Sequence, residues 1–489
     1  MTNIGISGGA IQIAVCLALT ALIAIATWLK VRSAGGHDGS SKDVYLAGGG
    51  LSWIFVAGSI TLTNLSTDQL VGMNGNQMLL LAWWEISGFV GLMILAFIFV
   101  PIYYRNNCTT VTELLDRRYD GRGVRTLVSA LFLFGNILIY LPAGLYSGGL
   151  FLQSLFGNDT PLIVFAIILA VISAGYTLLG GLRAVAVMDT FSGVGVLAIA
   201  VLIVILALVA VDFDIVSGVP VERLTMIGDA DSPIPFHTLF TGMIFIQIFY
   251  WSTNQNITQK AMTAPTVREA QKGVLAAAAI RILIIPVIVT VPGVVAYKLI
   301  GDVGDRAYGM LVAEILPPWL SGAFAAMIAA AVIAHTSAVL NSTVALYAVD
   351  FHDRFVGTIR NHWRLSRIVT VAVTISSILL VPLYQNAKSI INLLQQLNGL
   401  ASMPILSAFI VGLLFRGVGA KAAIAGVIWG VALYGIFTFW WSPAGLTDMH
   451  YIDFMVVTLG TSVLAALAVN RFGLGGRAQF VGFARQTAA

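Results

Sequence analysis

Four ionisable side chains lie inside long apolar stretches of the sequence, where a charge is costly. They are Asp68, Glu85, Arg281 and His335. Carboxylates and an arginine can bind polar ligands or pair with one another, and an imidazole can exchange a proton near neutral pH. Because ionisable groups inside a bilayer are rare and costly, each of the four is a candidate for binding a substrate or an ion.

Two of the apolar stretches are interrupted by polar runs, at 61–69 and at 250–256. Dense hydroxyl and amide side chains compete with the backbone for hydrogen bonds. Non-helical backbone is tolerated at membrane depth only where it is buried in protein or lines a cavity. We therefore predict two broken helices that face a solvated site. The alternative is that these polar side chains join packed helices to one another.

The composition shows that the elements carrying these residues cross a membrane. Hydrophobic residues make up 58% of the 489 residues and charged residues only 10%, against about 25% charged in a typical soluble chain. This excludes a soluble enzyme, and the net charge of +4 gives no sign of a nucleic-acid partner. The two cysteines, Cys16 and Cys108, define neither a disulfide framework nor a metal cluster.

Thirteen stretches reach the roughly 20 mostly apolar residues that a helix needs to cross a bilayer. They lie near 10–30, 52–74, 79–104, 124–155, 161–180, 184–211, 236–258, 270–299, 320–349, 366–385, 388–414, 418–440 and 449–470. With the N-terminus outside, most of the 26 basic residues fall in cytoplasmic loops, as the positive-inside rule requires. We predict a multi-pass protein of the cell inner (plasma) membrane with its C-terminus in the cytoplasm.

The two broken helices each begin a block of five spans. Because five is odd, the second block is inserted upside down relative to the first, an arrangement typical of secondary transporters that bind substrate near the midplane. The predicted fold is all-α and polytopic, with a five-plus-five inverted-repeat core. Its predicted segments are an anchor helix and linker (1–45), repeat 1 (46–211), an extracellular loop (212–235), repeat 2 (236–414), and two further helices with a cytoplasmic tail (415–489).

The candidate substrate contacts are mainly amides and aromatic rings. They are Asn64, Gln69, Gln247, Tyr250, Trp251, Asn254 and Gln395, beside the carboxylate of Glu85. Amides and carboxylates can each serve two hydroxyls, and an aromatic ring can cover an apolar sugar face. A small neutral polyhydroxylated molecule suits this set, and Arg281 leaves an acid sugar open as a substrate.

Several motifs resemble those of the solute:sodium symporter family, over roughly residues 40 to 440. They are 64–73 (NLSTDQLVGM), 176–184 (YTLLGGLRA) and 340–343 (LNST). Two more, 249–255 (FYWSTNQ) and 395–399 (QQLNG), are similar to the sodium/glucose and sodium/galactose cotransporter branch. The resemblance implies the inverted-repeat fold shared with bacterial amino-acid symporters, and alternating access around a central sugar site.

For the sugar site, the resemblance implies that Gln69, Glu85 and Gln395 bind sugar hydroxyls. It makes Tyr250 the aromatic gate on the inner side, supported by Asn64. Three positions depart from the branch: Gln247 stands in place of a binding Asn, Arg281 in place of a Lys, and Tyr140 in place of another polar contact.

For the coupling ion, the resemblance implies a sodium site built from the backbone carbonyls of Leu62, Leu65 and Ala331 and from two side-chain hydroxyls. At the hydroxyl positions this sequence has Ala334 and His335, which offer sodium no oxygen ligand. The acid that resembles the inner sodium-release residue, Asp189, is retained.

Three interpretations of the coupling follow. Protonation of His335 replaces sodium binding, with Asp189 as relay partner; or sodium still binds, with Thr336, Ser337 or water completing its ligands; or transport is uncoupled. An intramembrane enzyme and a channel are rival classes, but the sequence has no His-Glu-x-x-His pair, no Gly-x-Ser-x-Gly elbow and no filter-like segment. We expect a sugar, a coupling cation (Na⁺ or H⁺) and the lipid bilayer as partners, with no other cofactor and no obligate protein partner.

Overall fold

The computed structural model describes residues 8–32, 50–65, 67–119, 122–157, 160–229, 232–358, 361–385, 387 and 389–482. Side chains are described throughout these ranges except at 8, 28, 30–32, 122, 179–192 and 353–354.

The chain is almost entirely helical. The first half contains α1 (Gly8–Arg32), α2 (Trp53–Asn64), α3 (Thr67–Gly75), α4 (Ala82–Ile94), α5 (Val100–Arg105), α6 (Val111–Tyr119), α7 (Arg122–Gly135), α8 (Leu141–Phe156) and α9 (Leu162–Ala210). The second half contains α10 (Val221–Leu224), α11 (Gly242–Ile248), α12 (Gln255–Ala261), α13 (Val267–Leu283), α14 (Ile285–Ile300), α15 (Ala307–Ile315), α16 (Pro318–Leu346), α17 (His362–Leu380), α18 (Ile390–Leu414), α19 (Ala420–Ile436) and α20 (Tyr451–Ala468).

Short irregular turns of helix connect or extend these elements. The π-helical segments are Leu95–Phe99, Asn136–Tyr140, Phe249–Thr253, Tyr347–Val356, Phe437–Trp441 and Val469–Gly473. The 3₁₀ turns are Leu79–Leu81, Phe236–Phe240, Gly304–Arg306 and Val381–Tyr384. Two strands, β1 (Phe415–Arg416) and β2 (Gln479–Phe480), pair antiparallel and tie the C-terminal tail to the end of α18. Two-residue strands are too short to give a sequence signal, and we did not predict them.

Both polar runs break their helices, as predicted. Helix α2 ends at Asn64 and α3 begins at Thr67, and Leu65 between them leaves the helical region of backbone space (φ −74°, ψ 60°). In the second break Asn254 is extended (φ −80°, ψ 125°), and its side chain accepts a hydrogen bond from the backbone N–H of Asn256. Asn254 is therefore the N-cap residue of α12, which starts directly after the break.

Helix α9 supplies two spans, although it is continuous over 49 residues. Leu169 and Val332 both lie against Gly148, whereas Met327 lies against Gly195. Positions 169 and 195 would be about 39 Å apart along a straight helix, yet 327 and 332 are only about 7.5 Å apart along α16. The chain therefore doubles back within α9, as the predicted spans 161–180 and 184–211 require.

Most of the predicted spans have a counterpart among the helices. In the described chain, ten stretches are individually long and apolar enough to cross a membrane. The three other predicted spans correspond to the two broken helices and to the first half of α9. Helices α2 to α9 lie within the predicted first block of five spans, and α11 to α18 lie within the predicted second block.

Helix α16 lies at the centre of the bundle and α1 at its edge. In the most apolar stretch of α16, 89% of the residues are buried inside the protein, whereas in that of α1 only 11% are. The sequence explains the difference, because α16 is rich in Ala, Gly and Ser, small residues that let neighbouring helix backbones approach closely. It packs against α2, α8 and α9, and so it carries its polar residues into the middle of the protein.

Asp305 joins three elements at one end of the bundle. The backbone N–H of Ile390, at the start of α18, donates to Oδ2 of Asp305 over 2.8 Å. The carboxylate also lies so close to Gly75, at the end of α3, that a Cβ there would be 2.6 Å from Oδ1. Burial raises the pKa of Asp305 to about 6 from its ordinary value of 3.8.

This contact predicts a pH dependence of stability. Between about pH 4 and pH 6 the folded protein holds a proton on Asp305 that the unfolded chain releases, so the free energy of unfolding falls as the pH rises through this window. Asp305→Asn cannot titrate at this position, so we expect its free energy of unfolding not to show this decrease. At pH 7 the variant should be more stable than the wild type by roughly 2 kcal/mol. Denaturant titration of the detergent-purified proteins at pH 4.5 and pH 7 measures it. Equal pH dependence in the two proteins would contradict the assignment.

Candidate functional site

A small cavity lies between the two helix breaks. Both broken helices contribute to its lining, together with α4, α16, α18 and the segment that joins α7 to α8. The cavity has a volume of about 30 Å³. The lining residues are Asn64, Asp68, Gln69, Trp84, Tyr140, Ile246, Phe249, Tyr250, His335, Ile391, Leu394, Gln395 and Asn398. Of the predicted substrate contacts, the structure thus brings four together here: Asn64, Gln69, Tyr250 and Gln395.

A chain of hydrogen bonds orders one wall of the cavity. The hydroxyl of Tyr140 donates to Oδ1 of Asn398 over 2.6 Å, and Nδ2 of Asn398 donates to Oε1 of Gln395 over 3.0 Å. Gln395 and Asn398 are three residues apart on α18, so they share one face of that helix. Among the described residues nothing accepts from the amide nitrogen of Gln395, which can therefore donate to a ligand.

Gln69 presents an acceptor whose partner is missing. Its side chain is 4% exposed, and among the described residues nothing donates to its Oε1. A buried acceptor without a partner costs about 1–3 kcal/mol. A hydroxyl of a bound molecule would supply the missing donor.

A buried ion pair lies behind the opposite wall. Nη2 of Arg281 is 2.8 Å from Oε2 of Glu85, and their side chains are 4% and 0% exposed. Nη1 of Arg281 donates to Oδ1 of Asn64, and Nδ2 of Asn64 donates to the hydroxyl of Tyr250 over 3.2 Å. The pair therefore reaches the cavity indirectly, through Asn64 and Tyr250.

Gln247 and Trp251 pack behind the cavity with this ion pair. The guanidinium of Arg281 lies 4.3 Å from the centre of the Trp251 ring, and Nε1 of Trp251 donates to Oε1 of Gln247 over 3.0 Å. Nε2 of Gln247 donates to the carbonyl of Trp84 over 2.7 Å. These bonds occupy both polar ends of Gln247. Of the other predicted substrate contacts, Glu85 and Arg281 lie in the ion pair and Asn254 caps α12, so none of the five is on the lining.

His335 lies on the lining, at the position where the resemblance expects a sodium ligand. Its Nδ1 is 2.9 Å from the carbonyl oxygen of Thr63 at the end of α2. A carbonyl can only accept, so the neutral imidazole carries its hydrogen on Nδ1 and leaves Nε2 free. The ring fits because Gly144 faces it: a Cβ there would lie 3.2 Å from Cδ2 of His335.

The other predicted coupling residues surround this contact. Leu62 and Leu65 flank Thr63, Ala331 lies about one turn before His335, and all are buried. Ala334, at the first missing hydroxyl position, is also buried. The hydroxyl of Ser337 donates to the carbonyl of Ser173 over 3.0 Å, whereas among the described residues Oγ1 of Thr336 has no partner. The side chain of Asp189 lies outside the described part of the structure.

The comparison with protein families shows to which family the chain belongs. Residues 44–430, most of the chain, match the model of the sodium:solute symporter family. The chain belongs to this family. The predicted resemblance is therefore confirmed.

Relatives of this symporter include proteins named for sugars and for a cyclic polyol. It is 31% identical over 487 residues to the uncharacterized symporter YidK of Escherichia coli (strain K12), covering 94% of this chain and 83% of the relative. It is 28% identical to the sodium/glucose cotransporter of Vibrio parahaemolyticus (83% and 81% covered). It is 26% identical to the sodium/myo-inositol cotransporter 2 of Mus musculus (92% and 75% covered).

Solved structures support the predicted fold of the symporter. The substrate-bound outward-open state of a Na⁺-coupled sialic acid symporter matches with a TM-score of 0.81 over 97% of this chain and 100% of that one, at 18% identity. MhsT in complex with L-phenylalanine matches with a TM-score of 0.53 over 85% and 97%, at 13% identity. At such identities the likeness concerns the fold alone. The prediction of an all-α transporter with a five-plus-five inverted-repeat core is confirmed.

The lining of this symporter includes polar residues that sequence reasoning did not place in the site. Asp68 is a candidate for binding as an ionisable residue within a span, but it is not among the predicted substrate or sodium contacts. Asn398 was overlooked, although its spacing of three from Gln395 places both on one helix face. Trp84 also lines the cavity, whereas its neighbour Glu85 lies in the ion pair behind the wall.

The ion pair behind the wall gives a stability prediction. Replacing Glu85 by Gln leaves the Arg281 charge buried without its partner, which should lower the free energy of unfolding by about 3–5 kcal/mol. The double variant Glu85→Gln/Arg281→Met removes both charges and should recover a large part of the loss. Denaturant titration in detergent measures both effects.

The exposed pair between Lys272 and Glu269 serves as the matched control, and Lys272→Met should leave the unfolding curve unchanged. A double variant no more stable than Glu85→Gln alone would contradict the view that the unpaired charge causes the loss.

Proposed function

We propose that the protein is a secondary active transporter that imports a hexose-like sugar by cation-coupled symport, with alternating access around the central cavity. The observation that carries the proposal is the polar lining between the two helix breaks, with a buried acceptor on Gln69 that a ligand hydroxyl would satisfy. Transport rather than catalysis fits both the family and this site.

The chemistry of the lining favours a neutral polyhydroxylated ring. Four amides, Asn64, Gln69, Gln395 and Asn398, face the cavity with the hydroxyls of Tyr140 and Tyr250. Such groups donate to and accept from hydroxyls, and Trp84 and Phe249 offer aromatic surface to the apolar face of a ring. Glucose and myo-inositol, for which two relatives are named, are both neutral ring polyols. A polyol is therefore the second candidate substrate.

Glu85, Gln247, Trp251, Asn254 and Arg281 remain proposed parts of the substrate site. In the present arrangement they hold the wall of the cavity rather than its surface. Tyr250, which Asn64 fixes by a hydrogen bond, is the proposed inner gate. Rotation of Tyr250 away from Asn64 would open the cavity towards the cytoplasm and bring the residues behind it within reach of the sugar.

We propose further that the coupling ion is a proton and that it binds to Nε2 of His335. Sodium requires oxygen ligands, and Ala334 and His335 supply none where the family resemblance expects two hydroxyls. His335 also holds the carbonyl of Thr63, between the Leu62 and Leu65 carbonyls that would otherwise bind the ion. A second proton on Nε2 would place a positive charge between α2 and α16, where the ion would lie.

Uptake into proteoliposomes under imposed gradients tests the proposal. We expect D-glucose or myo-inositol to accumulate when a proton gradient is imposed and sodium is absent. His335→Ala should lose accumulation while keeping saturable exchange of sugar for sugar. His237→Ala, a change to an exposed histidine far from the cavity, is the control and should behave as the wild type does.

Other outcomes identify the alternatives. Uptake that requires sodium at fixed pH and survives His335→Ala would overturn proton coupling. Saturable exchange without accumulation under either gradient would indicate a facilitator. An unsaturable conductance would indicate a channel and would overturn the proposed function itself.

The proposed location is the cell inner (plasma) membrane, with the N-terminus outside and the C-terminus in the cytoplasm. The basic residues of the predicted cytoplasmic loops support this orientation.

A further inference from the structure

We infer that Asp305 is a second proton-binding group of this protein, and that its protonation favours closure of the outer entrance to the cavity. The inference rests on the proposed alternating access and adds the group through which external pH acts on it. Neither the sequence motifs nor the names of the relatives point to this residue.

The outer side of the cavity is closed by the contact of α3 with α18. Both helices contribute to the lining, α3 through Gln69 and α18 through Ile391. Further outward the two helices touch at Gly72, where a Cβ would lie 2.9 Å from Cβ of Ile391. Because α3 runs from the first helix break towards the predicted extracellular side, a substrate that arrives from outside needs α3 and α18 to separate.

Asp305 lies where these two helices meet at their outer ends. Its Oδ2 accepts from the backbone N–H of Ile390, the first residue of α18. Its carboxylate also lies against Gly75, the last residue of α3. Beside it, Nδ2 of Asn76 donates weakly to Oγ of Ser389 over 3.4 Å. Separation of α3 from α18 therefore removes part of what covers the carboxylate and exposes it to water.

The closed contact suits a neutral carboxyl group better than a charged one. Oδ2 of Asp305 has one donor, whereas Oδ1 is buried and among the described residues nothing donates to it. Removing an ionised carboxylate from water costs more than a single hydrogen bond returns. Burial therefore outweighs the bond from Ile390 and raises the pKa of Asp305 to about 6.

Separation of the helices reverses this effect, because water then hydrates the carboxylate and its pKa returns towards the ordinary value of 3.8. A proton stabilises the form in which the pKa is higher, which here is the closed form. With these two pKa values, lowering the pH from 7 to 5 should raise the ratio of closed to open molecules roughly 10-fold. This sign fits a carrier whose outer entrance closes after a proton has bound from outside.

The ionisable groups around Asp305 give it no countercharge. On the neighbouring elements they are Tyr146 on α8, Tyr308 and Glu314 on α15, Asp68 at the far end of α3, and Asp302 and Arg306 in the same connection. Tyr146 interacts with the charge of Asp305, but a tyrosine is neutral at physiological pH. Among the described residues no cation lies within ion-pair distance of Asp305. Lys388, which precedes α18 in the sequence, lies outside the described residues and is removed in one arm of the test.

Labelling of a cysteine at position 391 measures how often the outer entrance is open. Cys16 and Cys108 are first replaced by Ser, and Ile391→Cys then places a thiol on the lining beneath the contact of α3 with α18. A membrane-impermeant maleimide is added outside right-side-out proteoliposomes at pH 7 and pH 5. The rate is divided by that of Val221→Cys, an exposed position in the outer loop, at the same pH, because thiol reactivity itself depends on pH.

For the otherwise wild-type protein we expect this normalised rate to fall roughly 10-fold from pH 7 to pH 5. Asp305→Asn has no charge at either pH, so it should label at the low rate at both. If Ile391→Cys does not fold, Leu394→Cys, another lining residue of α18, serves as the reporter.

Asp302→Asn is the matched control, since it removes a carboxylate of the same connection that pairs with Arg223 on the surface. The fall in rate should persist in it, in Lys388→Gln and in His335→Ala. Its loss in Lys388→Gln or His335→Ala would assign the titration to that residue and refute the role of Asp305.

An equal rate at both pH values in the otherwise wild-type protein, or a fall that persists in Asp305→Asn, would also refute it. The labelling needs no sugar, so such a result would leave the proposed transport standing. Failure of the wild type to exchange D-glucose or myo-inositol would instead overturn the proposed function, whatever the labelling shows.

Discussion

Each break in a membrane helix leaves backbone groups without their partners in the helix, and inside a bilayer no water replaces them. The centre of this protein is organised around that requirement. The carbonyl of Thr63, in the last turn of α2, accepts from His335, and the side chain of Asn254 caps the helix after the second break. Satisfying the backbone thus draws polar side chains to the midplane, and the cavity lies between them.

The ionisable side chains at the centre of the protein fall into two groups, those that pair with each other behind the cavity wall and those that line the cavity. Glu85 and Arg281 neutralise each other in a fully buried pair, which holds Asn64 and through it Tyr250. Gly88 makes this possible, because a Cβ there would lie 2.3 Å from Nε of Arg281. Asp68 and His335 remain on the lining. The absence of a side chain at position 88 therefore gives the guanidinium of Arg281 the room to lie behind the wall.

Much of this arrangement could be predicted from the sequence, because its causes are local. The polar runs around Asn64 and Asn254 predict the breaks, and the apolar lengths predict the spans. The direction in which individual side chains point could not be predicted. Residues 249–253 form a π-helical turn, so helical spacing does not indicate that Tyr250 faces the cavity while Trp251 packs behind it. The contact of Asp305 with Ile390 joins residues 85 positions apart, and no local pattern signals it.

The small size of the cavity also bears on how the protein selects its substrate. A sugar ring is much larger than the few waters that 30 Å³ would accept, so its hydroxyls must displace bonds that the protein makes with itself, such as those joining Tyr140, Asn398 and Gln395. The affinity for a substrate then depends on how well its hydroxyls replace the hydrogen bonds that the protein loses, rather than on how well the substrate fills an empty cavity. A molecule that replaces every broken bond binds, and one that lacks a single hydroxyl leaves a buried amide unsatisfied. The protein's own hydrogen bonds are therefore the first competitor that any substrate has to displace.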